Sequence, residues 1–139
     1  IMEHAKEQPD QYMFYHFCGC NHESSDLLHM LTRLLKELNL HFALNKTIPT
    51  DLKDMIESLP YFLAETARDE QWILIIDAVN QLNYDVLSWL PESFPESVHV
   101  ILSTTPGLTY EQLKKRNWTT LELPLLDEAQ KEGLIREYL

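Results

Sequence analysis

The chain has 139 residues, of which 45% are hydrophobic, enough for one domain with a buried core and too many for a disordered polymer. Its 11 Lys and Arg against 22 Asp and Glu leave a net charge of −11, which argues against an extended contact with nucleic-acid phosphates. It contains no apolar run near the roughly 18 residues that span a bilayer and no secretory signal pattern, so it is expected in the cytosol or an intracellular assembly.

Residues 12–18, Tyr-Met-Phe-Tyr-His-Phe-Cys, are aromatic-rich and end at Gly19, and they read as a buried strand. Ser24 or Ser25 can cap a helix from Asp26 to Leu38, because Leu27, Leu28, Leu31, Leu34, Leu35 and Leu38 recur at helical spacing. That stripe is broad, as core packing requires, and lacks the sustained heptads of a zipper. A second helical stretch runs from Thr50 to about Arg68, and Pro60 predicts a kink or break inside it.

Trp72 to Ile76 is a nearly continuous apolar strand, and Asp77 stands at its end. Val86 to Leu90 reads as a short helix closed by Pro91 and Pro95. Val98 to Leu102 is a third strand, followed by Ser103-Thr104-Thr105. Tyr110 to Arg116 is a short helix whose basic end, Lys114-Lys115-Arg116, reads as a solvated terminus. Trp118 to Leu123 alternates as a further strand, and Asp127 caps a last helix with Leu134, Ile135 and Leu139 on its inner face. Trp89 and Trp118 read as core or semi-buried anchors, and Trp72 as a cover over the sheet edge.

Apolar strands separated by helices predict an α/β fold, a mostly parallel sheet with helices on both faces, in one domain over residues 1–139. Ligands meet such sheets at the carboxyl ends of the strands. Those ends carry Cys18-Gly19-Cys20, Asp77 to Gln81, and Ser103 to Thr105. His16, Cys18, Cys20 and His22 alternate, but every second residue of a strand lies about 7 Å from the last, too far apart along one line to wrap a tetrahedral zinc ion. Cys18 and Cys20 are expected as free thiols.

A carboxylate at the end of a buried strand is how nucleotide-binding sheets face a hydrated magnesium ion. None of the three glycines, Gly19, Gly107 and Gly133, precedes a Lys-Ser or Lys-Thr pair, so no phosphate-binding loop accompanies it. The chain therefore reads as the later part of a nucleotide-binding module whose first strand and loop lie upstream, or as a relative that lost them. Its two ends look cut.

Three segments in this order resemble the NACHT-type branch of the signal-transducing P-loop NTPases, most closely nephrocystin-like and NACHT-with-WD-repeat proteins. They are Tyr15 to Asp26, Trp72 to Leu82, and Leu87-Ser-Trp-Leu-Pro91 through Pro106, with Leu123-Pro-Leu-Leu and Leu134 to Leu139 as their continuation. The resemblance implies that Asp77 is the Walker B carboxylate, holding Mg²⁺ through water, and that Ser103 or Thr104 senses the terminal phosphate of ATP or GTP. Asn80 and Gln81 stand where many relatives are acidic, and Thr105 where many have Arg. An amide cannot act as a carboxylate base, so Asn80 and Gln81 imply slow hydrolysis at most.

The implied whole is a nucleotide-dependent switch in a large regulator or scaffold, at the primary cilium by analogy, whose partners are proteins and its own neighbouring domains. For residues 1–139 alone no cofactor and no measurable ATP affinity are expected. The rival reading is a non-catalytic interaction domain that keeps the sheet. A stand-alone hydrolase using Cys18 is disfavoured, because no base can be paired with that thiol.

Overall fold

The computed structural model describes residues 11–66, 70–84 and 87–138. Three parallel strands, β1 (Met13–Phe17), β2 (Trp72–Asp77) and β3 (Val98–Leu102), form a sheet in the order β1-β2-β3. This is the α/β fold that the apolar strand runs predict. β2 lies in the middle, where both its edges are hydrogen-bonded, and its Trp72, Leu74 and Ile76 are 0%, 1% and 0% exposed. Trp72 is expected from its place at a strand start to cover the sheet edge. It is instead at the centre of the core, with its indole N–H donating to Thr66 Oγ1 at 3.0 Å, so the polar atom of a buried ring is satisfied.

Between β1 and β2 the chain makes two helices, α1 (Leu27–His41) and α2 (Leu52–Glu65). The cap of α1 is Asp26 rather than Ser24 or Ser25, its carboxylate accepting from Leu28 N at 2.8 Å and His29 N at 3.3 Å. Both serines are drawn into a single 3₁₀ turn, Glu23–Ser25, where Ser24 and Asn21 bond each other reciprocally. Helix α1 buries Leu27, Met30, Leu31, Leu34, Leu35 and Leu38. This stripe packs on β1 and α2 and forms the centre of the apolar cluster.

Helix α2 starts at Leu52, two residues after the predicted Thr50, because Asp51 caps it, its carboxylate accepting from Asp54 N at 3.1 Å. It also runs unbroken through Pro60. Pro60 sits on the exposed side, where water can replace the one backbone bond that its ring removes, while Met55, Leu59, Phe62 and Leu63 hold the buried side. The predicted end at Arg68 falls outside the described residues.

In parallel register Phe14 pairs with Leu74 and His16 with Ile76, so these share the face covered by α1. The opposite face carries Tyr15, Phe17 and Ile101, which stay 43%, 42% and 43% exposed. After β2 come two 3₁₀ turns, Val79–Gln81 and Leu87–Trp89, and after β3 a short helix α3 (Leu108–Lys114). A 3₁₀ turn, Leu87–Trp89, stands where Leu87 to Leu90 are expected to be helical, and Val86, the expected start, lies outside the described residues.

The predicted strand from Trp118 to Leu123 does not form. Residues 118–127 form no helix or strand and have no ladder partner among the described residues, and Leu121, Leu123 and Leu125 are 82%, 81% and 96% exposed. Alternating residues make a strand only when a neighbouring edge takes their backbone groups. The last helix, α4 (Glu128–Tyr138), does form at the predicted cap, where Asp127 and Gln130 bond each other's backbone N–H at 2.8 and 2.9 Å. Its expected inner face is not inner, since α4 buries no residue and Leu134 and Ile135 are 53% and 55% exposed; Leu139 is outside the described residues.

Arg116, read from sequence as part of a solvated basic end, is the reverse. Its guanidinium donates to the carbonyls of Pro91 and Leu90 at 2.6 and 2.9 Å, and its side chain is only 9% exposed. It ties the end of the Leu87–Trp89 turn to the chain beyond helix α3.

Leu34 is fully buried, so Leu34→Ala should destabilise the chain by about 3 kcal/mol through lost transfer energy and a cavity. Asp26→Ala should remove about 1 kcal/mol of capping. Urea unfolding followed by circular dichroism measures both, and an equal loss from the two variants would contradict the assigned roles.

Candidate functional site

Because β1, β2 and β3 are parallel, their carboxyl ends lie along one rim, and backbone bonds tie the three exits together. Cys18 N donates to Asp77 O at 3.0 Å, Ser103 N to Ile76 O at 3.0 Å, and Val79 N to Ser103 O at 2.9 Å. The rim is therefore an extension of the ladder rather than a loose meeting of loops.

Ile76 pairs with Leu102, so the next residues in register are Asp77 and Ser103, side by side on the partly open face. Ser103 Oγ donates to Asp77 Oδ1. The same hydroxyl oxygen accepts from Ala78 N at 2.8 Å. Ala78 is left-handed, with φ 55° and ψ 46°, a conformation that is unfavourable by about 1–2 kcal/mol for a residue with a Cβ. It is held there by that bond and by the following turn, in which Gln81 N donates to Ala78 O at 2.8 Å. Such strain at a strand end turns the chain away sharply and leaves the Asp77 carboxylate exposed.

Asn80 reaches from this turn to the exit of β3. Its Oδ1 accepts from Thr104 Oγ1 at 3.2 Å and from Thr105 N at 3.3 Å. Gln81 points the other way, to the exit of β1. A Cβ built on Gly19 would lie 1.9 Å from Gln81 Oε1, and Gly19 has φ +80°. Glycine is required there twice, for the backbone angle and for the space. Thus Asp77 with Ser103 and Asn80 with Thr104 form two neighbouring hydrogen-bonded pairs across the same two strand exits, and Gln81 belongs to the other shoulder, against the Gly19 turn.

Two of these features escaped the reading from residues. A glycine just beyond a strand hints at a positive φ, and Gly19 carried that signal, but its contact with Gln81 spans 62 positions of sequence. The left-handed Ala78 carries no local signal, since alanine has no preference for that region.

The neighbouring cysteines take different surroundings. Cys18 is buried and Cys20 exposed, both as free thiols. Burial, with a smaller effect of the Asp77 carboxylate, pushes the Cys18 thiol up to about 12, so it is not a nucleophile near neutral pH. His16 is also buried, with Nε2 2.8 Å from Ser24 O and Nδ1 3.3 Å from Arg33 Nη2. A carbonyl on Nε2 and a guanidinium on Nδ1 fix the neutral tautomer protonated at Nε2. Arg33 itself bonds Tyr15 O and, at 3.0 Å, Glu37, and it lies 4.2 Å over the Phe14 ring. Among the described residues no group of three or more His, Cys, Asp or Glu could hold a metal ion. His16, Cys18, Cys20 and His22 accordingly do not converge.

No family model matches the chain, and no solved structure matches it. Among curated proteins it is similar to human NACHT and WD repeat domain-containing protein 2, 29% identical over 112 residues that cover 77% of this chain and 6% of that protein. It is 26% identical over 153 residues to rat telomerase protein component 1, covering 97% of this chain. A TPR repeat-containing protein of Dictyostelium discoideum is 30% identical over 95 residues, 61% of this chain. The chain spans 6% of the length of each of these relatives. Two of the three are named for repeats, and all three are far longer than the region they share with this chain.

Gly19→Ala should destabilise the wild-type chain by more than it destabilises a Gln81→Ala background, where only the backbone strain of about 1 kcal/mol remains. Equal losses in both backgrounds, measured in urea, would mean that the Gly19–Gln81 contact is not tight. A second expectation concerns pH. Burial chiefly, and also the Arg33 charge, lower the His16 pKa below its ordinary 6.5. On acidification below pH 6.5 the unfolded chain takes up a proton before the folded chain does, so stability is complete above that pH and falls towards the lower folded value. Urea titrations between pH 8 and 5 should show this loss, and His16→Asn should flatten it.

Proposed function

We propose that this chain forms the metal- and phosphate-facing rim of a nucleotide-dependent switch of the NACHT type, within a large cytoplasmic regulator or scaffold whose other domains and protein partners respond to its ATP or GTP state. The observation that carries this reading is the pairing of the Asp77 carboxylate with the Ser103 hydroxyl, one residue past the next strand, at the carboxyl rim of a parallel sheet. The similarity to a NACHT and WD repeat protein supports it.

The residues fit a magnesium–nucleotide in one specific way. Magnesium in such sites retains waters and takes one or two carboxylates together with substrate phosphates, and the rim offers one exposed carboxylate, Asp77. When bound, the ion supplies charge neutralisation between the phosphates. Asp77 would hold it through water, with Ser103 bonded to that carboxylate and Thr104 on the phosphate side. Asn80 has its carbonyl oxygen engaged by Thr104 and Thr105, and an amide is no base, so neither Asn80 nor Gln81 drives rapid hydrolysis. Occupancy would stabilise one arrangement of the attached domains, and release would free it.

One observation favours the second reading, a non-catalytic interaction domain. Tyr15 and Phe17, with ring centroids 5.8 Å apart, lie half-exposed on the open sheet face, which also carries Ile101 across β2. Among the described residues no helix is long and apolar enough to cross a membrane. A ciliary location rests on analogy alone.

The test is magnesium-dependent ATP and GTP binding and turnover by the full-length protein and its Asp77→Ala variant. Binding should fall by at least about tenfold in the variant. Unchanged binding and turnover would remove Asp77 from the mechanism, and absence of nucleotide binding by the wild type would leave the interaction-domain reading. Calorimetric titration of residues 1–139 with Mg-ATP should show no binding.

A further inference from the structure

Resting on the nucleotide reading above, we propose that Ser103 is a positioning residue for Asp77 and not a reader of phosphate. Its hydroxyl sets the metal dependence of binding without distinguishing a triphosphate from a diphosphate.

A serine hydroxyl has one proton to donate and two lone pairs. The Ser103 proton goes to Asp77 Oδ1, and one lone pair takes the Ala78 N–H at 2.8 Å. Nucleotide phosphate oxygens at neutral pH are acceptors, so reading them requires a free proton, and that of Ser103 is engaged. Ser103 also cannot swing away as a unit. Its N–H donates to Ile76 O at 3.0 Å and its carbonyl accepts from Val79 N at 2.9 Å, both belonging to β2 and its exit. The only freedom left is rotation of the hydroxymethyl group, which would abandon two bonds at once and leave the left-handed Ala78 without its tether.

Thr104 stands in contrast. Its hydroxyl has partners at 3.2 Å, Asn80 Oδ1, and 3.1 Å, its neighbour's carbonyl, both longer than the ~2.7–2.8 Å usual for a hydroxyl donor. So the two adjacent hydroxyls, which a motif treats as interchangeable, are unequal. Ser103 is committed to the carboxylate, fixing Oδ1 so that the other oxygen keeps a constant direction. Groups that orient a metal-side ligand in this manner contribute about 10–100-fold to metal affinity.

The experiment measures fluorescent ATP and ADP analogues binding to the full-length protein with Mg²⁺ and with excess chelator, for the wild type, Ser103→Ala, Ser103→Thr and Thr104→Val. Ser103→Ala should lose about tenfold of the affinity gained from Mg²⁺ and keep the wild-type ratio of ATP to ADP affinity. Ser103→Thr, which retains a hydroxyl, should restore the Mg²⁺ gain, and Thr104→Val should leave it intact. If Ser103→Ala keeps the Mg²⁺ gain but abolishes the ATP-to-ADP ratio, Ser103 reads phosphate and the inference fails while the nucleotide reading stands. Should Ser103→Ala not fold, loss of the Mg²⁺ gain in Thr104→Val or in Ser103→Thr overturns the inference by itself. Wild-type protein that binds neither nucleotide defeats the underlying reading instead.

Discussion

A buried strand flanked on both edges by parallel neighbours has little freedom, and β2 is that strand here. Trp72, Leu74 and Ile76 are fully enclosed, and the backbone groups of β2 are taken by β1 on one side and β3 on the other. A shift of one residue would turn this set onto the half-open face and bring Ile73 and Ile75 beneath α1. The register is therefore held by the burial of large side chains, and the rim inherits it. Asp77 reaches the surface at a defined place because the five residues before it cannot slide.

Polar chemistry at the rim is built onto that rigidity. Ser103 follows Leu102 in register and falls beside Asp77, so their hydrogen bond follows from the ladder without any contribution from loop sequence. The left-handed Ala78 is the adjustment that lets the chain leave the sheet at once, and it is stabilised by the same serine. Asn80 and Gln81 then reach in opposite directions, to Thr104 and Thr105 and to Gly19. All three strand exits become one unit. A rim that is tied in this way before any ligand arrives needs little reorganisation on binding, which is what electrostatic recognition of a charged ligand favours.

The face opposite α1 has a different character. Tyr15, Phe17 and Ile101 are partly exposed there, and the segment from Leu121 to Leu126 and helix α4 expose further leucines. The relatives are proteins in which a region similar to this chain is a small part. Apolar surface on this scale suits a chain that works beside other elements rather than one surrounded by water, and it bears on both functional readings: the switch needs surfaces that transmit its state, and the scaffold needs surfaces that bind.

The residues alone determined the parts whose physics is local. Runs of aromatic, apolar and β-branched residues bounded by turn signals marked β1, β2 and β3 to within a residue at each end, because such side chains suit a pleated, largely buried surface. Leucines at helical spacing marked α1, and Asp127 marked the start of α4 through a cap that closes within one turn. Tertiary structure decided what depends on distant partners. Trp118 to Leu123 alternates like a strand yet stays single, because no edge receives it; Pro60 lies inside a continuous helix, because its side faces solvent. Arg116 is clamped rather than solvated, because the fold brings a carbonyl 25 positions away along the chain within reach of its guanidinium. The inequality of Ser103 and Thr104 belongs to the same class. It arises from which of two neighbouring hydroxyls shares a sheet face with Asp77, and that is a matter of pairing between strands.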